Sequence, residues 1–160
     1  MDDVTLARAL HVLAIIFWIG GVGFVTTVLL PAIRRATPPG NRAALFQQME
    51  QSFARQARVT TLVAGLSGLY MVYRLDLWAR FAETSYWWMH AMVCVWLAFT
   101  LMLFVVEPLG LVDKRLAAHG QRDIESTMRL MQIFHWVLFG ASLVTVLGAA
   151  LGAHGLLLFD

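Results

Sequence analysis

Charge is scarce in this chain. Asp, Glu, Lys and Arg together fill only 14% of its 160 positions, where soluble domains average about 25%. That shortage excludes an ordinary solvated surface. The net charge of +2 sits in two loops, which leaves no basic face interleaved with aromatics for nucleic acid. A single cysteine, Cys94, excludes an intramolecular disulfide and a thiolate zinc site. It reads as a small buried apolar residue. There is no phosphate-cradling glycine loop, no HExxH and no nucleophile–base pair, so no strong catalytic set is present.

Apolar residues fill the space instead, at 59% of positions, against about 45–50% for soluble domains. They gather into four runs, about 6–30, 59–78, 86–106 and 130–151, each near the ~20 residues that span a hydrocarbon layer. The second run is interrupted by Arg74 and Asp76, and Arg74 is placed to snorkel. The expected fold is all-α: one domain over residues 1–160, an integral membrane four-helix transmembrane bundle made of two weakly similar hairpins. Asp2 and Asp3 stand where a cleaved signal carries basic residues, so the first run is expected to be a retained helix.

Loop charges orient the bundle. Arg34, Arg35, Arg42, Arg55 and Arg58 outnumber Glu50 between the first two runs. Lys114, Arg115, Arg122 and Arg129 outnumber Asp113, Asp123 and Glu125 between the last two. The link around Arg80 and Glu83 is nearly neutral. The positive-inside rule then places both basic loops in the cytoplasm and both termini outside, with Trp78, Tyr86, Trp87 and Trp88 as an outer aromatic belt. Gly20, Gly21, Gly23, Gly65, Gly68, Gly148 and Gly152 read as packing positions between helices. After the breaker Thr37–Gly40, residues 41–58 read as an extension of the second helix or as a surface-lying amphipathic turn.

Two histidines hold matching places. His11 opens the run ALHVLAIIFWIGGVGFVTTVLLP and His90 opens YWWMHAMVCVWLAFTLMLFVVEP, each ending in a proline, Pro31 and Pro108. Each half then passes a basic loop and returns through a glycine-bearing helix, the pattern of a parallel repeat about the membrane normal. An ionisable residue in lipid is costly and usually faces the bundle interior. Equal depth lets His11 and His90 address one ligand. Haem iron takes axial histidine, and Phe17, Trp18, Trp96 and Phe99 would wall a porphyrin. Copper is the rival, with Met89 and Met92 beside His90. A third possibility is two hydrogen-bonded packing histidines. His135 and His154 are lesser metal candidates. Nineteen helical positions part them by nearly the bilayer thickness, so they cannot share one ion. His119 falls in a polar loop.

The stretch ALHVLAIIFWIGG resembles the first-helix signature of the copper resistance protein D family and of the four-helix membrane protoporphyrinogen oxidases. FARQARVTTLVAGLSGLY is similar to the start of the second helix in the copper family. The oxidase family uses a first-helix His with a third-helix Lys and is associated with b-type haem. His11 matches the first of these, and His90 stands in place of the lysine. The oxidase motif before helix four is absent, since that loop reads DKRLAAHGQRDIESTMR. The resemblance implies haem b on His11 and His90, with Trp18 and Trp96 beside it and copper as the alternative. It further implies a location in the bacterial inner membrane and a redox partner such as quinone or a periplasmic carrier. An enzymatic role, as a membrane oxidoreductase component, and a homo-oligomer are left open.

Overall fold

The computed structural model describes residues 2–110 and 121–156, without the side chains of residues 39, 40, 43, 47, 50, 52 and 121–128. His119, Lys114 and Arg115 lie outside the described residues. Those described are helical throughout, joined by short turns, with no strand among them. Three helices are long and apolar enough to cross a membrane: Asp3–Ala36, Thr84–Val106 and Arg129–Ala153. Helix two is not among them, since Arg58 and Arg74 bracket a stretch diluted by Thr60, Thr61, Gly65, Ser67 and Gly68.

Helix one starts at Asp3, where the Asp2 carboxylate accepts from the Val4 N–H and satisfies one of the free donors of the first turn. Pro31 does not end it, in contrast to the sequence expectation. The helix runs on to Ala36 because a wide π turn, Val25–Leu29, precedes the proline and relieves the clash of its ring with the preceding turn. Arg42 then reaches back to cap this end, its guanidinium donating to the Thr37 and Arg34 carbonyls.

Helix two, Pro39–Arg74, has 36 residues and is about 54 Å long at 1.5 Å per residue. Residues 41–58 therefore extend this helix, the first of the two expected arrangements. Its end at Arg74 comes earlier than the expected 78, where Asp76 takes a left-handed conformation at φ 50°. Trp78 falls in the short 3₁₀ turn Leu77–Ala82 that follows. Arg74 binds the Asp3 carboxylate at 2.7 Å, joined by the Tyr70 hydroxyl at 2.8 Å, and so pairs the ends of helices one and two.

Helix three runs over Trp87–Leu101 and continues in a second π turn, Met102–Val106. Helix four, Gln121–Ala153, completes the order. Helix one lies along helix two and helix three along helix four, with lighter contacts from one to four and from two to three. Trp18 of helix one meets Phe99 of helix three edge-on at 5.0 Å.

Apolar side chains fill both the core and much of the surface, unlike in a soluble protein. Large apolar side chains point outward, among them Leu66, Val59, Leu130, Val137 and Tyr73. Thr26, Thr61 and Ser142 are fully buried, and Thr26 and Ser142 return their hydroxyls to the carbonyl four residues back. Aromatic rings fill notches left by glycines: Phe53 over Gly21, Trp96 over Gly65, and Trp88 over Gly152. Cys94 is exposed, against the expectation that it is buried.

Gly152 and Gly140 make a paired test on one helix. A Cβ at Gly152 would run into the Trp88 ring, whereas nothing lies within 4 Å at Gly140. Gly152→Ala is expected to cost about 1–3 kcal/mol by overpacking. Gly140→Ala is expected to be neutral or to gain up to ~1 kcal/mol of helix propensity. Thermal unfolding in detergent checks the difference in sign.

Candidate functional site

His11 belongs to the buried stripe of helix one. Ala7, Ala14, Trp18 and Val22 share that stripe at steps of three and four, so His11 points between helices. Opposite it, helix two presents Ala64, Ser67 and Gly68. The His11 Nδ1 lies 2.8 Å from the Ala64 carbonyl and 3.1 Å from the Ser67 Oγ. A carbonyl can only accept, so Nδ1 carries the proton and Nε2 of the neutral ring keeps its lone pair. A Cβ on Gly68 would stand 3.1 Å from the His11 Cε1, and the glycine thus makes room for the ring.

His90 stands elsewhere. Its side chain is exposed on helix three, with the ring edge-on to Phe81 at 5.4 Å. The buried positions of that helix are Trp88, Met89, Phe99 and Leu103, and His90 lies off their face. The two histidines lie in the same half of their helices, near the 75–86 link. They are not aimed at one point. Trp96 is partly buried and donates its indole N–H to the Thr61 carbonyl at 2.9 Å. Trp18, 5% exposed, packs in the central cluster with Ala64 and Phe99. His135 and His154 each bond the carbonyl four residues back, Met131 and Ala150, at 2.8 Å. His154 is exposed and His135 is partly buried. Among the described residues, no three His, Cys, Asp or Glu side chains gather as a metal set.

At the other end of the helices, sequence reasoning took Arg58 as a loop charge and passed over Glu107. The Glu107 N–H bonds the Met102 carbonyl in the widened turn. The Leu103 carbonyl would next accept from residue 108, which is a proline with no N–H. Arg58 of helix two supplies the missing donor: its Nε bonds the Leu103 carbonyl at 3.1 Å, and its Nη2 pairs with Glu107 at 2.9 Å. The legible signal was the Glu-Pro step at the end of an apolar run. Above this pair lies an interior cavity of about 50 Å³ reached by all four helices, with Val22, Ala57, Leu103 and Leu138 in its wall and His135 and Glu107 as its polar groups.

Compared with known proteins, the chain matches no family model, no curated protein and no solved structure.

Arg58→Gln removes both the carbonyl donor and the carboxylate partner. The expected loss is about 1–3 kcal/mol, the usual cost of stranding such groups. Glu107→Gln, which leaves the Arg58–Leu103 bond in place, is expected to cost less. Denaturant midpoints of the two variants check the ranking.

Proposed function

We propose that this chain is an integral membrane protein of four spanning helices that holds a b-type haem through His11 and passes electrons to a quinone or a periplasmic carrier. The apolar exterior supports the membrane part, because exposed apolar surface of this extent has no place in water. The Arg-rich ends of helices one and two support an orientation with both termini outside.

The observation that carries the haem reading is the His11 bond to Ala64. Ligand histidines usually donate their second ring N–H to a carbonyl or carboxylate, which fixes the tautomer and orients the ring. His11 has that arrangement across two helices, with Nε2 left as the ligand atom. When bound, haem would supply one-electron chemistry. The chain's part would be to hold the His11 ring; Trp18 is packed on Phe99 and Trp96 over Gly65, so a porphyrin beside His11 would require these rings to move apart. His90 remains the candidate for a second ligand nitrogen on sequence grounds, although its exposed side chain does not meet His11.

One further reading has its own support. His11 already satisfied by helix two, and His90 facing outward, is also how a cofactor-free packing protein would use these residues. The spectrum separates the two.

Protein purified in detergent from haem-replete cells is expected to show a Soret band that shifts on dithionite reduction. His11→Ala should abolish it, His119→Ala should keep it, and His90→Ala should convert low-spin to high-spin haem. A colourless protein carrying copper by elemental analysis favours the copper alternative. A colourless, metal-free one favours the packing role. Orientation is tested in a Cys94→Ser background, since Cys94 is exposed. Asp2→Cys and Glu83→Cys are expected to label from outside, and Arg42→Cys and Arg115→Cys from inside only.

A further inference from the structure

Four buried side-chain atoms have no hydrogen-bond partner among the described residues. Trp87 Nε1 lies at the start of helix three, and the other three, Trp18 Nε1, Thr61 Oγ1 and Thr100 Oγ1, lie near the interior cavity. Trp18 is 5% exposed and Thr61 0%. Such groups are costly to leave dry and are normally satisfied by protein or by water. Their positions follow a rule. Trp18 comes four residues before Val22, Thr61 four after Ala57, and Thr100 three before Leu103, and all three reference residues line the cavity. Steps of three or four keep a side chain on one helix face. Helices one and three run opposite to two and four, so these offsets all climb toward the same end. Helix four adds Ser142, four residues after the lining residue Leu138 and 1% exposed. Helices one, two and four therefore each place one polar side chain a turn above their lining residues, while on helix three Thr100 falls between the lining residues Phe99 and Leu103.

The cavity of about 50 Å³ has room for roughly three to five waters, at about 10–15 Å³ each. His135 borders it. Its Nδ1 donates to the Met131 carbonyl, so the neutral ring keeps a lone pair on Nε2. The Arg58–Glu107 pair, with side chains 33% and 28% exposed, closes the end nearest solvent. The ionisable groups of the lining are thus Glu107 on helix three and His135 on helix four, with Arg58 of helix two outside the lining and paired to Glu107. Helix one contributes none to the lining.

We propose that the cavity and the polar side chains near it form a water-filled half-channel that carries protons from the Arg58–Glu107 end to the middle of the molecule, with His135 as its proton acceptor. A cavity water transfers a proton to the His135 Nε2, giving an imidazolium with both ring nitrogens protonated. The reverse step returns the proton to water, and nothing is oxidised or reduced. Trp18, Thr61 and Thr100 extend the path, and His11 lies two turns beyond Trp18 on the same stripe. The proposal stands whether or not His11 holds haem.

The test is NMR of the full chain in lipid nanodiscs with ¹⁵N-labelled histidine, His135→Asn serving to assign the signal. The expected result is a His135 resonance that titrates by one proton and exchanges magnetisation with water. Ala57→Val, which narrows the cavity, should slow that exchange several-fold, and Gly140→Ala should leave it unchanged. Should Ala57→Val not fold, Thr61→Val with Thr100→Val is expected to remove water contacts to Trp18 while sparing those to His135. A His135 signal that neither titrates nor exchanges with water, in a protein whose other resonances are native, overturns the proposal. The haem spectrum is read on the same sample, so failure of one reading is distinguishable from failure of the other.

Discussion

In an apolar surrounding, every backbone carbonyl that loses its N–H must find another donor. This constraint organises the end of the molecule where the two prolines lie. Pro31 and Pro108 each follow a five-residue π turn at the same offset, Val25–Leu29 and Met102–Val106. Each turn shifts the hydrogen-bond register by one residue, and each proline then removes the next donor. On helix three the deficit falls on Leu103, and Arg58 makes it good from the neighbouring helix. A local backbone defect thereby becomes a tie between helices two and three. The guanidinium that fills it brings Glu107 to the mouth of the cavity.

The packing above that tie follows from size more than from polarity. Glycines on one helix receive aromatic rings from the next, and a few small hydroxyl residues sit among buried apolar side chains such as Leu30 and Val22, while many other large aliphatic side chains face out. Apolar side chains such as Val22, Phe99 and Leu138 close the centre, and the interlock of rings with glycines sets how near the helices approach. His11 is seated by the same device, its ring set against Gly68 and its Nδ1 on the Ala64 carbonyl.

Much was legible in advance. The apolar runs mark helices one, three and four, and the spacing of His11 on ALHVLAIIFW puts it on the buried stripe. The likeness of the two halves reappears in the matched π turns. Other features were hidden. Nothing local announces that helix one crosses Pro31, because the accommodation depends on a register shift that many sequences could adopt. The outward face of His90 was equally hidden, since depth along a helix can be counted from its end but rotation about its axis is set by neighbours.

The sequence by itself determined the class of solvent this chain suits, the number of long helical runs and the residues able to bind a proton or a metal. Those properties are additive along the chain, so composition and period carry them. Tertiary structure alone decided which polar groups meet: Arg58 with Leu103 and Glu107, His11 with Ala64, and Trp96 with the Thr61 carbonyl. These residues lie far apart in sequence, and only the rotation and register of four packed helices bring them to common levels. No local pattern encodes that rotation, because it is fixed by how rings and glycines interlock between helices.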